Sequence, residues 1–281
     1  MLFSVPMHRG NFIKLINAFF IVVPLLTALS WLVWTTGVST PHAWMGMLIV
    51  AVLWFAAVQW TYRKFLHASD NLYRQQEALL ALYQTVKPNY GLPPMRGWSC
   101  SPDHLNILAD LILNHKPVTL VDCGSGISTL VMAAMVKHQG HGHVYALEHN
   151  SEYAGLTRAL LQRHGLEGKA TILDAPLQNH TINNKNWLWY GGADRLPASI
   201  DLVHIDGPPA HQQRMARFPT LPMLKSKLLP HALLILDDAY RLDERQTLAS
   251  WETLGWTTKP KWFDTEKGTV VVEVNSTLRT N

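Results

Sequence analysis

Two long apolar stretches near the start of the chain dominate its hydropathy pattern. Residues 15–34 and 43–60 contain no Asp, Glu, Lys or Arg. A run of about 18 or more apolar residues is typical of a membrane-spanning helix, because a helix satisfies its own backbone hydrogen bonds in lipid. A cleaved signal peptide followed by a buried helix is the alternative. The length of the first run and the lack of a small-residue cleavage site disfavour it.

The charges that flank these stretches predict their orientation. Arg9 and Lys14 precede the first stretch, Arg63 and Lys64 follow the second, and the connector has no Lys or Arg. The positive-inside rule then places both ends in the cytoplasm. We therefore expect a transmembrane hairpin over residues 1–61, located in the inner (cytoplasmic) membrane with the lipid bilayer as a partner and the catalytic domain in the cytoplasm.

The remainder of the chain divides into a linker and a domain. Residues 62–100 predict a mostly polar helix that ends in a stretch rich in proline and glycine. From Val118 onward, short apolar strands alternate with helical segments, a pattern typical of an α/β fold with a parallel sheet and helices on both faces. The turn at 265–268 followed by "TVVVEV" predicts a final hairpin. We expect residues 101–281 to form one domain whose sheet is closed by one antiparallel strand.

Charge and cysteine content exclude some classes of function. The net charge of +4 on 281 residues is modest, and no run of Lys and Arg suggests nucleic acid as a partner. Cys100 and Cys123 are the only cysteines, which indicates no disulfide framework. Because they lie far apart in the sequence, they suggest no zinc site.

The turn after the first predicted strand, "VDCGSGIS", indicates a ligand site. Gly124 and Gly126 allow a tight turn and the close approach of backbone N–H groups to a ligand. Glu148 ends the next strand, and an acid about 20 residues past such a turn binds ribose hydroxyls in nucleoside-binding sheets. An ordinary strand-to-helix turn is the alternative. The pair of features predicts a nucleoside ligand at the carboxyl edge of the sheet.

The acid-x-Gly-x-Gly form of this turn resembles motif I of the class I S-adenosylmethionine-dependent methyltransferases. Thr129 occupies the third glycine position of the nicotinamide fingerprint, which disfavours that cofactor. The resemblance implies a Rossmann-like, seven-stranded, mostly parallel sheet with an antiparallel last strand, and S-adenosylmethionine as the cofactor. It implies a methionine end lined by the turn, ribose at Glu148 and adenine at the end of the third strand. The implied cofactor-binding residues are Asp122, Gly124, Ser125, Gly126, Glu148, Asp174 and Ala175.

Three acids at two later strand ends raise the question of a metal. Asp206 follows "VHI", and Asp237 and Asp238 follow "LLIL". Three carboxylates exceed what helix capping needs, and their repulsion requires a cation or a shared proton. The arrangement is similar to cation-dependent O-methyltransferases of the catechol and caffeoyl-CoA type, which implies Mg²⁺ or Mn²⁺ at Asp206, Asp237 and Asp238. Those families have Asp-Asn at the later pair and a lysine in place of residues 207–209. Alternatively, the acids are helix caps and Asp206 is the catalytic base; His204, His211, Arg214 and Arg217 are further candidates by proximity.

These features together predict a membrane-tethered S-adenosylmethionine-dependent methyltransferase. An oxygen acceptor is expected, on a small molecule, a glycan or a lipid-linked compound, because a metal or a base would activate a hydroxyl. The long segment with Trp187, Trp189 and Tyr190 either shapes the acceptor pocket or packs over the sheet edge. An aminopropyltransferase, an NAD-dependent oxidoreductase and a non-catalytic membrane adaptor that keeps the fold remain alternatives.

Overall fold

A computed structural model describes most of the chain. The described residues are 41–95, 97–275 and six positions before them: Thr27, Ala28, Ser30, Trp31, Trp34 and Thr35. The chain divides into two compact units, and the division falls after Asp70. Helix α1 (Pro41–Val86) has 46 residues and crosses that division. Its first half exposes large apolar side chains such as Leu53 and Phe55, whereas Leu82 and Val86 near its end are buried.

The predicted membrane location is wrong. Within the part of the chain that the structure describes, no helix is long and apolar enough to cross a membrane. The predicted second span, residues 43–60, is the start of helix α1, which continues through Arg63, Lys64 and Asp70 without a break. The predicted first span, residues 15–34, lies outside the described residues except for five positions. The boundaries of the predicted hairpin, linker and domain stay predictions.

One seven-stranded sheet forms the centre of the second unit. The strands among the described residues are β1 (Thr119–Cys123), β2 (His143–Glu148), β3 (Ala170–Asp174), β4 (Leu177–Ile182), β5 (Lys185–Tyr190), β6 (Ile200–Ile205), β7 (Leu228–Leu236), β8 (Lys261–Phe263) and β9 (Thr269–Glu273). The strand order of the sheet is β3-β2-β1-β6-β7-β9-β8. The first five strands in that order are parallel to one another, and β9 is antiparallel to β7. This confirms the predicted Rossmann-like α/β fold with an antiparallel last strand. The strand order reverses at β1, which has β2 on one side and β6 on the other.

Helices connect the parallel strands, and their ends follow local sequence signals. Pro102 begins one helix at a position where its missing N–H costs nothing. The side chain of Asn150 accepts backbone N–H groups of Glu152 and Tyr153 at 2.9 and 3.3 Å and so caps another. Gly165 ends that helix in the left-handed conformation. The helices are α2 (Pro102–His115), α3 (Ile127–Gln139), α4 (Ser151–His164), α5 (Thr220–Leu224) and α6 (Leu242–Thr253), with a 3₁₀ turn at Ala193–Arg195.

The core lies on both faces of the sheet. Successive residues of β1, Leu120 and Val121, are fully buried and belong to separate apolar clusters, as the alternation of side chains across a strand requires. The first cluster contains the buried faces of α2 and α3, and the second contains Trp189 and Trp251. A sheet buried on both faces leaves only its edges open to ligands.

The long segment after the third strand is a β-hairpin of its own. Strands β4 and β5 pair in antiparallel register, and Asn183 and Asn184 at the turn both have positive φ angles. This is the geometry of a two-residue hairpin turn. Its aromatic residues Trp187, Trp189 and Tyr190 are buried, with exposures of 6%, 0% and 1%. Their burial favours the interpretation that they pack over the sheet.

The packing of Tyr190 against Gly207 gives a prediction about stability. A Cβ atom at Gly207 would lie 2.0 Å from the Tyr190 hydroxyl oxygen and 3.0 Å from the Cys123 carbonyl oxygen. Because Tyr190 is buried and cannot swing away, we expect Gly207→Ala to lower the free energy of unfolding by about 1–3 kcal/mol. Urea unfolding measures the loss.

Two variants test the cause of that loss. Adding Tyr190→Phe to Gly207→Ala removes the nearest atom, so the double variant should recover part of the loss in a double-mutant cycle. Gly155→Ala, within helix α4, is the matched control. A Cβ atom at Gly155 would have no described neighbour within 4 Å apart from the adjoining residues and the backbone of its own helix. It should be neutral or stabilising by up to about 1 kcal/mol. Equal stability of Gly207→Ala and the wild type would contradict the predicted overlap.

Candidate active site

The glycine turn after β1 lies at the carboxyl edge of the sheet, where the strand order reverses. Gly124 and Gly126 have φ angles of +123° and +145°, which side chains of L-residues rarely adopt. A Cβ atom at either position would meet no atom of the described residues within 4 Å, so the space above the turn is open. The amide of Asp206 donates to the Cys123 carbonyl at 3.2 Å, which brings the end of β6 beside this turn. The turn and the later acids therefore share one edge of the sheet.

Glu148 is tied to the glycine turn by hydrogen bonds. Its Oε2 atom accepts the Ser125 hydroxyl at 2.8 Å, and its Oε1 atom accepts the Asn150 amide at 3.0 Å. The ring of His149 lies 3.1 Å from Oε1. Burial alone would raise the pKa of Glu148, but these hydrogen bonds from His149, Asn150 and Ser125 hold it below its usual value. An ionised carboxylate thus stands at the end of β2, next to the open space above the turn.

The end of β3 aligns with the end of β2. Asp174 pairs in register with Glu148, and the Ala175 amide donates to the Glu148 carbonyl at 2.7 Å. The Asp174 carboxylate is more than half exposed and binds Arg158 at 2.7 Å, whereas Ala175 is fully buried. Both residues therefore lie at the predicted edge, and their roles toward a cofactor stay predictions.

Asp122 lies inside the domain and binds neighbouring side chains. It is fully buried, and its Oδ2 atom accepts the hydroxyls of Ser128 and Thr129 at 2.8 and 2.7 Å. Its Oδ1 atom lies 2.7 Å from Nδ1 of His204, whose pKa is raised because Asp122 outweighs the effect of burial. Asp122 thus fixes the start of helix α3 and one histidine of β6. Its predicted place beside the methionine end of a cofactor stays a prediction.

A chain of buried polar groups continues from His204 to the start of β9. The Nε2 atoms of His204 and His104 lie 2.9 Å apart, and Nδ1 of His104 lies 2.7 Å from the Thr269 hydroxyl. Burial lowers the pKa of His104 to about 4. The Cys100 thiol lies 3.3 Å from Oδ2 of Asp206 and 3.9 Å from Nε2 of His204. Cys100, which precedes helix α2, and His104, in its first turn, therefore lie at the same edge of the sheet as Asp206.

Arg217 is a cation among the three predicted acids. One nitrogen, Nη2, donates to Oδ1 of Asp206 at 3.0 Å and to Oδ2 of Asp238 at 2.7 Å, and Nη1 donates to the Asp237 carbonyl at 2.6 Å. Burial would lower the pKa of Arg217, but these carboxylates and Glu244 raise it well above its usual value. Asp238 also binds Arg241 at 2.9 Å. The guanidinium groups of Arg217 and Arg241 therefore both bind the Asp238 carboxylate through its Oδ2 atom.

These contacts bear on the predicted Mg²⁺ or Mn²⁺ site. A metal held by Asp206, Asp237 and Asp238 requires free carboxylate oxygens, and Oδ2 of Asp238 already serves Arg217 and Arg241. A cation that takes Oδ2 of Asp238 as a ligand would have to displace these two guanidinium groups. Arg217, which is a candidate by proximity alone in the sequence, is the cation that binds Asp206 and Asp238. The metal prediction as a whole is not tested by these contacts.

Asp206 is the member of the trio that solvent reaches. Its side chain is 20% exposed, against 0% for Asp237 and 6% for Asp238. Burial and the charge of Asp237 raise the pKa of Asp206 to about 7. His104, Lys267 and Arg217 instead hold the pKa of Asp237 below its usual value despite burial. The two carboxylates therefore have different environments although they end adjacent strands.

Several residues of this edge were missed or left undecided by sequence reasoning. Cys100 and His104 gave no signal, because about 100 residues separate them from His204 and no periodic pattern links them. Arg217 and His204 were candidates by proximity alone. The Asn-Asn pair at 183–184 was a usable signal for the β4–β5 hairpin, since both residues tolerate positive φ.

Comparison with known proteins agrees with this geometry. Residues 121–239 match a family model described as "Methyltransferase domain". That range begins within β1 and contains the glycine turn, Glu148 and all three strand-end acids. Together with the sheet topology it confirms the resemblance to the class I methyltransferases. No curated protein is similar enough in sequence to count as a match.

Two solved structures have a similar fold. The methyltransferase PaMTH1 of Podospora anserina, bound to SAH, aligns with a TM-score of 0.51 at 11% identity, covering 70% of this chain and 88% of its own. An O-methyltransferase from Bacillus cereus, in complex with SAH, aligns with a TM-score of 0.50 at 14% identity, covering 74% of this chain and 97% of its own. These likenesses establish a shared fold.

The position of Arg217 predicts a large effect on stability. Arg217→Met keeps most of the side-chain volume but leaves Asp206 and Asp238 without their buried cation. We expect the free energy of unfolding to fall by about 3–5 kcal/mol, since an unpaired buried charge is costly. Arg214→Met is the matched control, because Arg214 is 77% exposed, and its effect should stay within about 0.5 kcal/mol. Similar urea midpoints for both variants would show that the guanidinium does not stabilise this edge.

Proposed function

We propose that this chain is an S-adenosylmethionine-dependent methyltransferase that acts on a hydroxyl oxygen. The observation that carries the proposal is the shared edge: the open glycine turn, Glu148 and the solvent-accessible Asp206 lie together where the strand order reverses. In sheets of this type, ligands bind at that position. The methyltransferase-domain match over residues 121–239 supports the class of reaction.

The glycine turn and Glu148 would hold the cofactor. Space above Gly124 and Gly126 is open, so the methionine part of the cofactor can approach the backbone closely. Glu148 is ionised and positioned by Ser125, and an ionised carboxylate accepts two ribose hydroxyls. Asp174 and Ala175 border the adjoining position for adenine. S-adenosylmethionine supplies a methyl group on a sulfonium, which departs as a neutral thioether.

Asp206 would take the proton of the acceptor hydroxyl. Arg217 binds its Oδ1 atom and so fixes the orientation of the carboxylate, while the side chain keeps some exposure to solvent. As the acceptor oxygen forms a bond to the methyl carbon and the carbon–sulfur bond breaks, the hydroxyl proton passes to the carboxylate. The Bacillus cereus protein, an O-methyltransferase of the same fold, supports an oxygen acceptor.

Removing the charge of Glu148 should weaken cofactor binding. Glu148→Gln keeps the shape and one acceptor oxygen but loses the charge, and hydrogen bonds to charged groups contribute roughly 1.5–3 kcal/mol each. We therefore expect calorimetry to show an affinity for S-adenosylmethionine lower by at least tenfold. Glu152→Gln, on the exposed first turn of α4, is the control and should bind as the wild type does. Unchanged affinity in Glu148→Gln would remove Glu148 from the cofactor site.

Replacing Asp206 should slow transfer without weakening cofactor binding. Asp206→Asn cannot accept a proton, so release of S-adenosylhomocysteine with catechol or caffeoyl-CoA as acceptor should fall by roughly 10²–10⁴-fold. Calorimetric affinity for S-adenosylmethionine should change little. Asp264→Asn, at an 80% exposed carboxylate, serves as the control. If Asp206→Asn kept the wild-type rate, Asp206 would not be the base.

A further inference from the structure

Three soft or borderline donor atoms converge beside Asp206. The Nε2 atoms of His104 and His204 lie 2.9 Å apart, and the Cys100 thiol lies 3.9 Å from Nε2 of His204. All three side chains are buried, and the three donor atoms lie within 4.8 Å of one another. For a tetrahedral zinc site, ordinary bond lengths place two imidazole nitrogens about 3.3 Å apart and a sulfur about 3.6 Å from each. The distance between the two nitrogens and that between the sulfur and His204 differ from these by a few tenths of an ångström, and the third distance, from the sulfur to His104, is within 4.8 Å.

The outer nitrogens of both rings have hydrogen-bond partners, as in metal sites. Nδ1 of His204 lies 2.7 Å from Oδ1 of Asp122, and because an ionised carboxylate only accepts, this nitrogen carries a proton. Nδ1 of His104 lies 2.7 Å from the hydroxyl of Thr269, which contacts Thr265 at 2.8 Å. Such contacts orient metal-binding histidines and leave their Nε2 lone pairs facing the ion. When both Nδ1 atoms carry the protons, the two Nε2 lone pairs face the same position, and an ion bound there would offset their repulsion; when Nε2 of His104 carries its proton, it donates to Nε2 of His204 instead.

A second observation concerns Asp237, whose carboxylate adjoins the same cluster. A carboxylate oxygen of Asp237 and one of Asp206 lie within 4.8 Å of each other and of the Cys100 sulfur. The Oδ2 atom of Asp237 is buried and has no hydrogen-bond partner among the described residues. An unpaired buried carboxylate oxygen is costly. A bound ion with a water as fourth ligand would satisfy it, since the water can donate to this oxygen.

We propose that Cys100, His104 and His204 bind a zinc ion, with the fourth position directed toward Asp206 and Asp237. One thiolate and two imidazoles favour zinc over Mg²⁺ or Mn²⁺, which prefer oxygen ligands. A hydrogen bond between the two rings would satisfy the histidines, and the Cys100 thiol donates to Oδ2 of Asp206, but Oδ2 of Asp237 would remain without a partner among the described residues. The ion would join the segment that begins helix α2 to the carboxyl edge of the sheet. This inference does not depend on the proposed methyl transfer.

Metal content of the full chain tests the site directly. Purified protein, equilibrated with ZnSO₄ and desalted, should retain about one equivalent of zinc per chain by elemental analysis. Cys100→Ala should lose that zinc. Cys123→Ala is the matched control, because Cys123 is equally buried but is not a member of the donor cluster, and it should keep the zinc. Zinc retained equally by both variants, or by neither variant nor the wild type, would overturn the proposal.

Cobalt substitution tests the ligands without any variant that could fail to fold. Wild-type protein loaded with Co²⁺ should show a thiolate-to-cobalt charge-transfer absorption and the visible bands of a tetrahedral ion. Removal of the metal by a chelator should lower the melting temperature, and Zn²⁺ should restore it. A Co²⁺ spectrum without the thiolate absorption would show that Cys100 is not a ligand. A melting temperature that responds to neither chelator nor Zn²⁺ would leave a hydrogen bond between the two rings in place of the ion.

Discussion

The buried guanidinium of Arg217 is the contact on which the carboxyl edge of the sheet depends. It binds the end of β6 through Asp206, the end of β7 through the carbonyl of Asp237 and the side chain of Asp238, and it lies 3.5 Å from Glu244 of helix α6. Carboxylates at neighbouring strand ends repel one another, and without a cation they would take up protons or move apart. Arg217 allows them to remain close. The loop between β6 and α5 therefore stabilises the edge on which it lies.

That arrangement separates the acids into groups with different roles. Asp238 is bound by two guanidinium groups and is buried, so its role is structural. Asp206 shares one oxygen with Arg217 and keeps a path to solvent. Asp122 and Asp237 face the two histidines instead. The shared edge thus combines a fixed ion-pair network with one accessible carboxylate.

Sequence reasoning predicted the sheet and the glycine turn because both depend on local patterns. Apolar runs of strand length marked β1, β6 and β7, and the positive φ angles of Gly124 and Gly126 are the reason that glycine is needed there. It did not predict the partners of the acids, because Arg217 lies in an irregular loop and Cys100 and His104 lie far from His204 in sequence.

The membrane prediction failed for a different reason. It treated the apolar start of a long helix as a separate element, whereas the described helix continues through charged residues to Val86.

The residues that sequence reasoning missed all bring distant segments to one position. Cys100 and His104 precede the sheet in the chain, Thr269 comes from its last strands, and His204 comes from its centre, so their contacts form only when the sheet is complete.

Burying polar groups in this way is unfavourable unless each has a partner. The hydroxyls of Thr265 and Thr269, the two imidazoles and Asp122 supply partners for one another in an unbroken series. The exception beside this series is Oδ2 of Asp237, which finds no partner among the described residues. The proposed ion would satisfy this oxygen through its bound water, a role that no hydrogen-bond donor among the described residues fills.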